Sequence, residues 1–405
     1  MRYTTATRLE AEARLRDFIP RMGEKYARGR NFDRGPDTHR DVSGLSPFVR
    51  RRLVLEEELV FAALSEHGQE NAEKFIQEVV WRGYFKGWLE RRPQIWDSYR
   101  DGLLEDLSAL ERDRSLRRAV LKAETGQTGL ACFDAWAGEL VETGYLHNHA
   151  RMWFASIWIF TFGLPWRLGA DFFFRHLLDG DPASNTLGWR WVAGLHTRGK
   201  PYAAQAWNIS KFTGQRFTPG AHELSETVEG LDHTEPQGLP QVQPLRMAKA
   251  PETDVPTALL ITEEDCRIED FPLDTFDICG VASLSASHLR SPLQVADAVK
   301  DFERGALVDT VRRIDHVADS LTAGVASDLA RWAAGCGARQ IVTPYVPTGP
   351  LRDWLSAAQP ALEASGIALC ELSRPWDRAI WPHATAGFFK VKQKIPQILS
   401  ERALL

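Results

Sequence analysis

Hydrophobic residues recur at helical spacing through the first half of the chain. In residues 5–28 apolar side chains return about once per turn, which predicts an amphipathic helix. The same spacing predicts helices over residues 54–67, 69–89 and 103–121. Residues 143–192 form apolar helical runs that carry a few polar groups at fixed places. The first half is therefore predicted to be helical throughout.

The hydrophobic pattern changes after residue 256. Short apolar runs alternate with helical stretches, and this alternation predicts a parallel α/β sheet. The predicted strands are residues 258–262, 277–283, 340–346 and 367–371, and the predicted helices are residues 292–311, 326–335 and 351–365. No GxGxxG follows the first strand, so the pattern does not support a dinucleotide fingerprint.

A polar segment separates these two patterns. Residues 220–256 are rich in Pro, Gly, Gln, Glu and Thr, which predicts an interdomain linker. The predicted organisation is a helical domain over residues 1–219, the linker, and an α/β domain over residues 257–405. A final helix over residues 392–405 is expected to pack on the sheet.

Composition places the chain among soluble globular proteins, with 405 residues, 44% hydrophobic and 25% charged. It lacks a run of about 20 apolar residues, so no membrane span is expected. The N-terminus has no apolar signal core, which makes the cytoplasm the default location. The five cysteines are scattered without a CxxC pair, which argues against a disulfide framework or a zinc site. The formal net charge of −5 excludes a whole-protein basic footprint for nucleic acid, and a local basic patch stays open.

Residues 143–192 combine dense tryptophan with a few polar side chains. Buried charges are costly unless they are paired, so Arg151, Asp179 and Asp181 are expected to pair with each other or with a polar cofactor. The alternative is an aromatic helical core with one internal salt bridge. The tryptophans are Trp153, Trp158, Trp166, Trp189 and Trp191, and the uncharged polar residues are Asn148 and Asn185.

Two further features in the first half suit ligand binding. Ser46 before Pro47 predicts a helix N-cap, where free backbone N–H groups favour an anion. An ordinary capped helix explains the same residues. Glu78 and Arg82 lie one helical turn apart and are predicted to pair, as a surface ion pair or as part of a site. The polar run over residues 263–267 has two interpretations, which are a contact with a chromophore and a solvated loop.

The order of short motifs resembles one known family. TGYLHNHARM, WRLGADFF, LLDGDPASN and LGWRW are similar to TGWMHNRxRM, WRxGExxF, DxDxAxNN and GGWQW in the flavin-binding region of the photolyase/cryptochrome family. The stretch from Tyr26 to Pro47 resembles that family's YxxxRN…TSxLSP, with Val42 in place of threonine. Residues 78–85 resemble ELxWREFY, with Gly83 in place of glutamate. The ordered set covers the first half of the chain.

The second half carries a weaker resemblance to the same family. LLITEEDCRIEDFPL is similar to WFRRDLRLxDNxAL, which opens the family's Rossmann-like α/β antenna domain. In the family that domain comes first, and here it comes last. The resemblance therefore implies a circular permutation, with the FAD-binding helical domain first and the antenna-like domain last. An unrelated doubly wound domain is the alternative. Whether a second, antenna chromophore binds is left unknown.

The resemblance implies FAD as the cofactor and assigns residues to three roles. Cofactor contacts are implied for Tyr26, Arg30, Ser43, Gly44, Leu45, Ser46, Arg82, Arg151, Asp179, Gly180, Asp181 and Asn185. Substrate contacts are implied for Glu78, Trp81, Asn148, Met152 and Trp191. Trp189 and Trp166 match the proximal and middle members of an electron-transfer chain. Asp113 stands near the distal position, where no tryptophan is found, so Trp158 is another exit. Asn185 matches the residue facing flavin N5.

The function implied is that of a deoxyribodipyrimidine photo-lyase-like enzyme. Such enzymes use blue light to repair cyclobutane pyrimidine dimers in UV-damaged DNA, by electron transfer from reduced flavin. Asn148 stands where enzymes for the (6-4) product have histidine. His149 replaces the family's arginine, which predicts weaker DNA binding. The alternative is a cryptochrome-like flavin photoreceptor without repair activity.

Overall fold

The computed structural model describes residue 3 and residues 5–36 and 38–404. Helices come first along the chain, and a parallel sheet follows. The helices of the first half are α1 (Arg8–Phe18), α2 (Glu24–Gly29), α3 (Ser46–Arg50), α4 (Glu56–Glu90), α5 (Gln94–Arg112), α6 (Arg114–Glu124), α7 (Ala131–Thr143), α8 (Asn148–Ser156), α9 (Trp166–His176), α10 (Pro182–Val192) and α11 (Ala206–Phe212). A π-helical turn, Ile157–Thr161, continues α8.

Two predicted helices are wrong in their extent. The helix predicted over residues 5–28 ends at Phe18, passes through a 3₁₀ turn that contains Pro20, and resumes at Glu24 after a non-helical Gly23. The helix predicted over residues 103–121 is divided at Asp113. The Asp113 backbone is extended, and its carboxylate accepts the first free N–H groups of α6. Pro20 and the non-helical Gly23 therefore interrupt the apolar period at the first break, and side-chain capping by Asp113 interrupts it at the second.

The boundary predicted between residues 67 and 69 corresponds to a kink inside α4. Gly68 has φ 71° and ψ 169°, a conformation that glycine adopts at little cost. Helical geometry resumes on its C-terminal side and continues to Glu90. The second segment of α4 is the one that reaches the site described below.

The second half is a parallel sheet, as predicted, with five strands where four were predicted. Its strands are β1 (Pro256–Thr262), β2 (Asp277–Ser285), β3 (Asp319–Thr322), β4 (Gln340–Pro344) and β5 (Ala368–Leu372), in the order β3-β2-β1-β4-β5. Its helices are α12 (Asp297–Arg313), α13 (Ser327–Gly335), α14 (Pro350–Ala364), α15 (Pro375–Ile380), α16 (Phe389–Lys392) and α17 (Ile395–Glu401). The predicted fold class, helical followed by parallel α/β, is confirmed. The sequence pattern missed β3, a largely exposed edge strand without an apolar run.

The two halves meet through a run of basic residues and a run of acidic residues. Residues 50–52 are three buried arginines at the end of α3, and residues 263–265 are three buried acids after β1. The solvated-loop interpretation of this acidic run is therefore wrong. The pairs are Arg50–Glu264 at 2.7 Å, Arg51–Glu263 at 2.9 Å and Arg52–Asp265 at 3.2 Å.

Glu263 in this cluster remains ionised. Burial by itself would raise the pKa of Glu263, but Arg290, Arg51 and Arg50 outweigh it and hold that pKa at about 2. Removing one partner of a buried ion pair costs about 3–5 kcal/mol, because the other charge is left without compensation. The basic run and the acidic run therefore hold the sheet and the helices in one relative position.

The predicted linker packs on both halves in a largely irregular conformation. Arg190 of α10 holds Glu235 through two hydrogen bonds of 2.6 and 2.7 Å. Further along, the Glu371 N–H donates to the Lys249 carbonyl at 3.0 Å, beside β5. The domain boundaries themselves stay a prediction. Within the described ranges, no helix is both long and apolar enough to cross a membrane.

Candidate functional site

A cavity of about 510 Å³ opens between α4, α8, α10 and the loop before α3. Sites for small molecules and cofactors fall in this size range. All the residues predicted from the sequence to hold the cofactor or the substrate line this cavity, and so does Trp189. Trp166 does not line it. The fold therefore brings together residues that are up to 165 positions apart in the sequence (Tyr26 and Trp191).

Arg151 and Asp179 form the polar centre of the cavity. Arg151 Nη2 donates to Asp179 Oδ2 at 2.9 Å, and its Nε donates to the Leu146 carbonyl at 2.8 Å. Burial would raise the pKa of Asp179, but Arg151 and the Ser46 hydroxyl outweigh it and leave that pKa below its ordinary value. Among the described residues, none forms a hydrogen bond with the other carboxylate oxygen, the buried Oδ1. The pair therefore presents a fixed acceptor to a ligand.

Asp181 forms a second anionic point and also caps α10. Its Oδ1 accepts from Ser184 N–H at 2.8 Å, while Lys86 Nζ and Arg50 Nε lie 3.6 and 3.7 Å from Oδ2. Burial would raise the pKa of Asp181, but Lys86 and Arg50 lower it well below its usual range. Arg50 is held in turn by Glu264 of the α/β half. This support could not be predicted from the sequence because its members lie far apart in the chain.

The predicted pair between Glu78 and Arg82 is wrong. Glu78 instead accepts from Arg30 Nη1 at 2.8 Å, because the end of α2 faces this turn of α4. Burial raises the pKa of Glu78, and Arg30 opposes that shift only in part. Arg82 lowers the pKa values of Asp179 and Asp181, and its Nη1 is buried without a partner. Arg82 thus has a donor available for a ligand.

The loop before α3 differs by one residue from the prediction. Ser46 is the first helical residue, and Leu45 occupies the cap position without a capping side chain. Gly44 has φ 63°, a left-handed value that glycine adopts readily, and this turn lets Ser43 Oγ accept from Leu45 N–H at 3.3 Å. The residues of this loop, Tyr26 and Arg30 line one side of the cavity.

One face of α10 forms the opposite wall. Asp181 caps the helix, and Asn185, Gly188, Trp189 and Val192 follow at spacings of three and four, so they share its inner face. Asn185 Nδ2 donates to the Ala170 carbonyl at 2.8 Å, which leaves its oxygen Oδ1 available to a ligand. The sequence analysis missed Gly188, although its spacing from Asn185 would have revealed it.

Gly188 leaves an opening in this wall. A Cβ atom built on Gly188 would meet no heavy atom within 4 Å. The neighbouring Trp189 has its indole Nε1 buried without a hydrogen-bond partner. At Gly188 a ligand would therefore contact the helix backbone directly, because no side chain lies between them.

Trp189 contacts Trp158 and not the predicted Trp166. The rings of Trp189 and Trp158 lie 6.2 Å apart at an interplanar angle of 90°. Both pack over Gly169, where an added Cβ would come within 2.3 Å of Trp189 and 2.9 Å of Trp158. The aromatic neighbour of Trp166 is Tyr99, at 5.9 Å. Trp158 is therefore the tryptophan whose ring packs against Trp189.

Two tryptophans beside the polar centre are each stacked against a second aromatic ring. Trp81 lines the cavity, and Phe388 stacks on it with ring centroids 3.9 Å apart and planes at 13°. Trp191 also lines the cavity and stacks on Tyr202 at 5.5 Å and 29°. The sequence analysis did not identify Phe388 or Tyr202. Asn148 and Met152 lie on α8 and line the same cavity.

His149 does not provide a fixed positive charge. Its Nδ1 hydrogen-bonds with the Asn31 carbonyl at 3.0 Å, and its ring stacks on Trp153 at 4.1 Å. Burial lowers the pKa of His149, so the imidazole is neutral at pH 7. The weaker DNA binding predicted for this substitution is untested and stays a prediction.

The donors and acceptors of the cavity fit FAD. Three buried polar atoms of this cavity have no hydrogen-bond partner in the part of the chain that the structure describes: Arg82 Nη1, Asp179 Oδ1 and Trp189 Nε1. Buried polar groups require partners, so a ligand with both donors and acceptors is needed. A flavin ring offers both, and Arg30 would supply positive charge for the diphosphate.

Comparison with known proteins identifies the same ligand. Residues 75–243 match the family model described as the FAD binding domain of DNA photolyase. The deoxyribodipyrimidine photo-lyase of Streptomyces griseus is 36% identical over 171 residues, which are 41% of this chain and 36% of that protein. The one from Thermus thermophilus is 34% identical over 192 residues, 47% of this chain and 44% of that protein.

A solved structure is also similar. The class III photolyase of Agrobacterium tumefaciens aligns with a TM-score of 0.43 and 28% identity, over 51% of this chain and 43% of that one. This chain spans less than half the length of the curated relatives named above. The cofactor supported by the matched domain is FAD. Residues 75–243 are therefore similar to the FAD-binding domain of DNA photolyases.

Proposed function

We propose that this protein repairs cyclobutane pyrimidine dimers in UV-damaged DNA under blue light. The observation that carries the proposal is that Trp81 and Trp191 line the same cavity as Asn185 and the Arg151–Asp179 pair. A slot for flat bases thus lies beside the site for the flavin. Reduced FAD, when bound and excited by light, supplies the electron that splits the dimer.

The residues at this slot receive an extruded lesion. A dimer must leave the base stack to reach a cavity of this kind, and aromatic faces replace the stacking that it loses. Trp81 and Trp191 provide such faces. Glu78 and Asn148 offer polar atoms for the edges of the pyrimidines, and Met152 is a flexible apolar contact.

Asn185 acts on the cofactor side. Its amide is held by the Ala170 carbonyl, so the oxygen that remains can accept a hydrogen bond from a flavin N–H. An amide has no acidic proton to give to the flavin, whereas a carboxylic acid does. This difference favours the electron-rich cofactor state that repair requires.

A repair assay tests the proposal. Purified, prereduced protein is illuminated with an oligonucleotide that carries one dimer, and dimer loss is expected in the light and not in the dark. Trp81→Ala is expected to weaken binding of the damaged strand roughly 10-fold, because stacking of one base contributes about 1–3 kcal/mol. Trp207→Ala is the matched control, since Trp207 is 60% exposed and does not line the cavity. An unchanged dimer content after illumination would remove the repair function.

A cryptochrome-like photoreceptor is the second candidate. It is favoured by the neutral, half-buried His149, because no fixed cation replaces the family's arginine there, and by the net charge of −5. In the same assay this candidate predicts light-driven reduction of the bound flavin without loss of dimer. Dimer loss in the light would exclude a photoreceptor without repair activity.

A further inference from the structure

The α/β half contacts the substrate side of α4 through two glycines. Gly83 and Gly87 lie one turn apart on the face of α4 opposite the segment after β5. A Cβ on Gly83 would be 3.0 Å from Ile380 Cδ1, and a Cβ on Gly87 would be 2.8 Å from the Trp381 Cα. At Gly87 the neighbouring atom belongs to the backbone, so a larger residue would force the two segments apart, whereas at Gly83 the end of the Ile380 side chain would have to shift by a few tenths of an ångström.

Hydrogen bonds fix the next part of this segment to α4. Tyr84 Oη donates to the Ala386 carbonyl at 2.9 Å, and Arg92 Nη2 donates to the Thr385 carbonyl at 2.8 Å. The chain then places Phe388 flat against Trp81 and edge-on to Tyr84, at 3.9 and 5.5 Å. The position of Phe388 is therefore set by α4 itself.

Phe388 covers one face of the Trp81 ring, with the two planes at 13°. Trp81 lines the cavity, whereas Phe388 is not among the residues that line it, so the uncovered face of Trp81 is the one left to receive a base. A tryptophan that receives a base on one face needs a fixed ring plane. A stacked neighbour on the other face restricts that plane and excludes water from it.

We propose that Phe388 of the α/β half is a positioning residue for the substrate slot, which holds Trp81 ready to stack on an extruded pyrimidine dimer. This inference rests on the proposed function and deepens it. It assigns the α/β half a part in substrate recognition that is separate from any chromophore. Phe388 does not touch the substrate and acts only through Trp81.

The test measures binding of labelled oligonucleotides, with and without one dimer, to the full-length FAD-loaded protein. Phe388→Ala is expected to raise the Kd for the damaged strand about 3- to 10-fold, the range expected from losing one aromatic pair. FAD content, and the rate of dimer loss at saturating substrate, are expected to stay at wild-type values. Phe388→Tyr keeps the stacked ring and is expected to restore the Kd.

A double variant separates positioning from general destabilisation. If Phe388 acts through Trp81, the Trp81→Ala/Phe388→Ala protein binds the damaged strand no more weakly than Trp81→Ala alone. The matched control is Phe61→Ala, an aromatic residue of the same helix that is 57% exposed. Its Kd values are expected to match the wild type.

Three outcomes would overturn the inference. A wild-type Kd in Phe388→Ala would overturn it, and so would additive losses in the double variant. In both cases, damage-selective binding by the wild type would leave the proposed function standing. Equal binding of damaged and undamaged strands by the wild type would refute the proposed function, and the positioning role with it.

Discussion

A Gly188→Leu variant is expected to fold and to lose FAD. Gly188 lies in α10 on the wall of the cavity, and a Cβ there points into open space. Leucine would occupy the volume that the cofactor needs, and a clash of about 3 kcal/mol corresponds to a loss of affinity of roughly 100-fold. Absorbance of the purified variant and titration with FAD measure this loss.

The same substitution should not harm the apoprotein. Replacing a helical glycine generally stabilises a helix by about 0.5–1 kcal/mol, so the free energy of unfolding without FAD is expected to rise slightly. Gly138→Leu is the matched control, since Gly138 is an exposed glycine of α7 whose Cβ would also meet nothing within 4 Å. It should keep full FAD content. Wild-type FAD content in Gly188→Leu would show that the cofactor binds elsewhere.

Photoreduction of the bound flavin is expected to depend on Trp189 and Trp158. An electron that leaves Trp189 must be replaced from a nearby oxidisable ring, and Trp158 packs against it at 6.2 Å. Trp189→Phe and Trp158→Phe are each expected to slow photoreduction by roughly tenfold or more, which corresponds to about 1.4 kcal/mol in activation free energy. The measurement is the rate of flavin bleaching in light with an external reductant.

Trp166→Phe is the comparison for this route. Trp166 is also buried, but its aromatic neighbour is Tyr99 and it does not line the cavity. We expect a smaller effect than that of Trp158→Phe. If Trp166→Phe instead slowed photoreduction more than Trp158→Phe, the result would support the route implied by the family resemblance.

The ordered motifs were sufficient to predict the helical half and its cavity. Arg151, Asp179 and Asn185 were recognisable because apolar helices rarely carry such groups without a partner. Their convergence on one cavity agrees with that expectation. The parallel sheet was predictable from alternating apolar runs, whereas β3 was not, because an exposed edge strand carries no hydrophobic signature.

What the sequence could not provide was the choice between competing partners. Glu78 had Arg82 one turn away in the chain, but Arg30 lies closer in space and takes the hydrogen bond. Phe388 is more than 300 positions from Trp81. Pairings of this kind depend on how the two halves dock, and local periodicity carries no information about docking. The permuted order of the two domains likewise stays a prediction.

The account depends most on the helices of the first half enclosing a flavin. The most direct measurement is the absorption spectrum of the purified wild-type protein, before and after incubation with FAD and removal of the excess. We predict a flavin band at one FAD per chain, retained through the removal step. A preparation that is colourless and remains colourless after incubation would contradict the account.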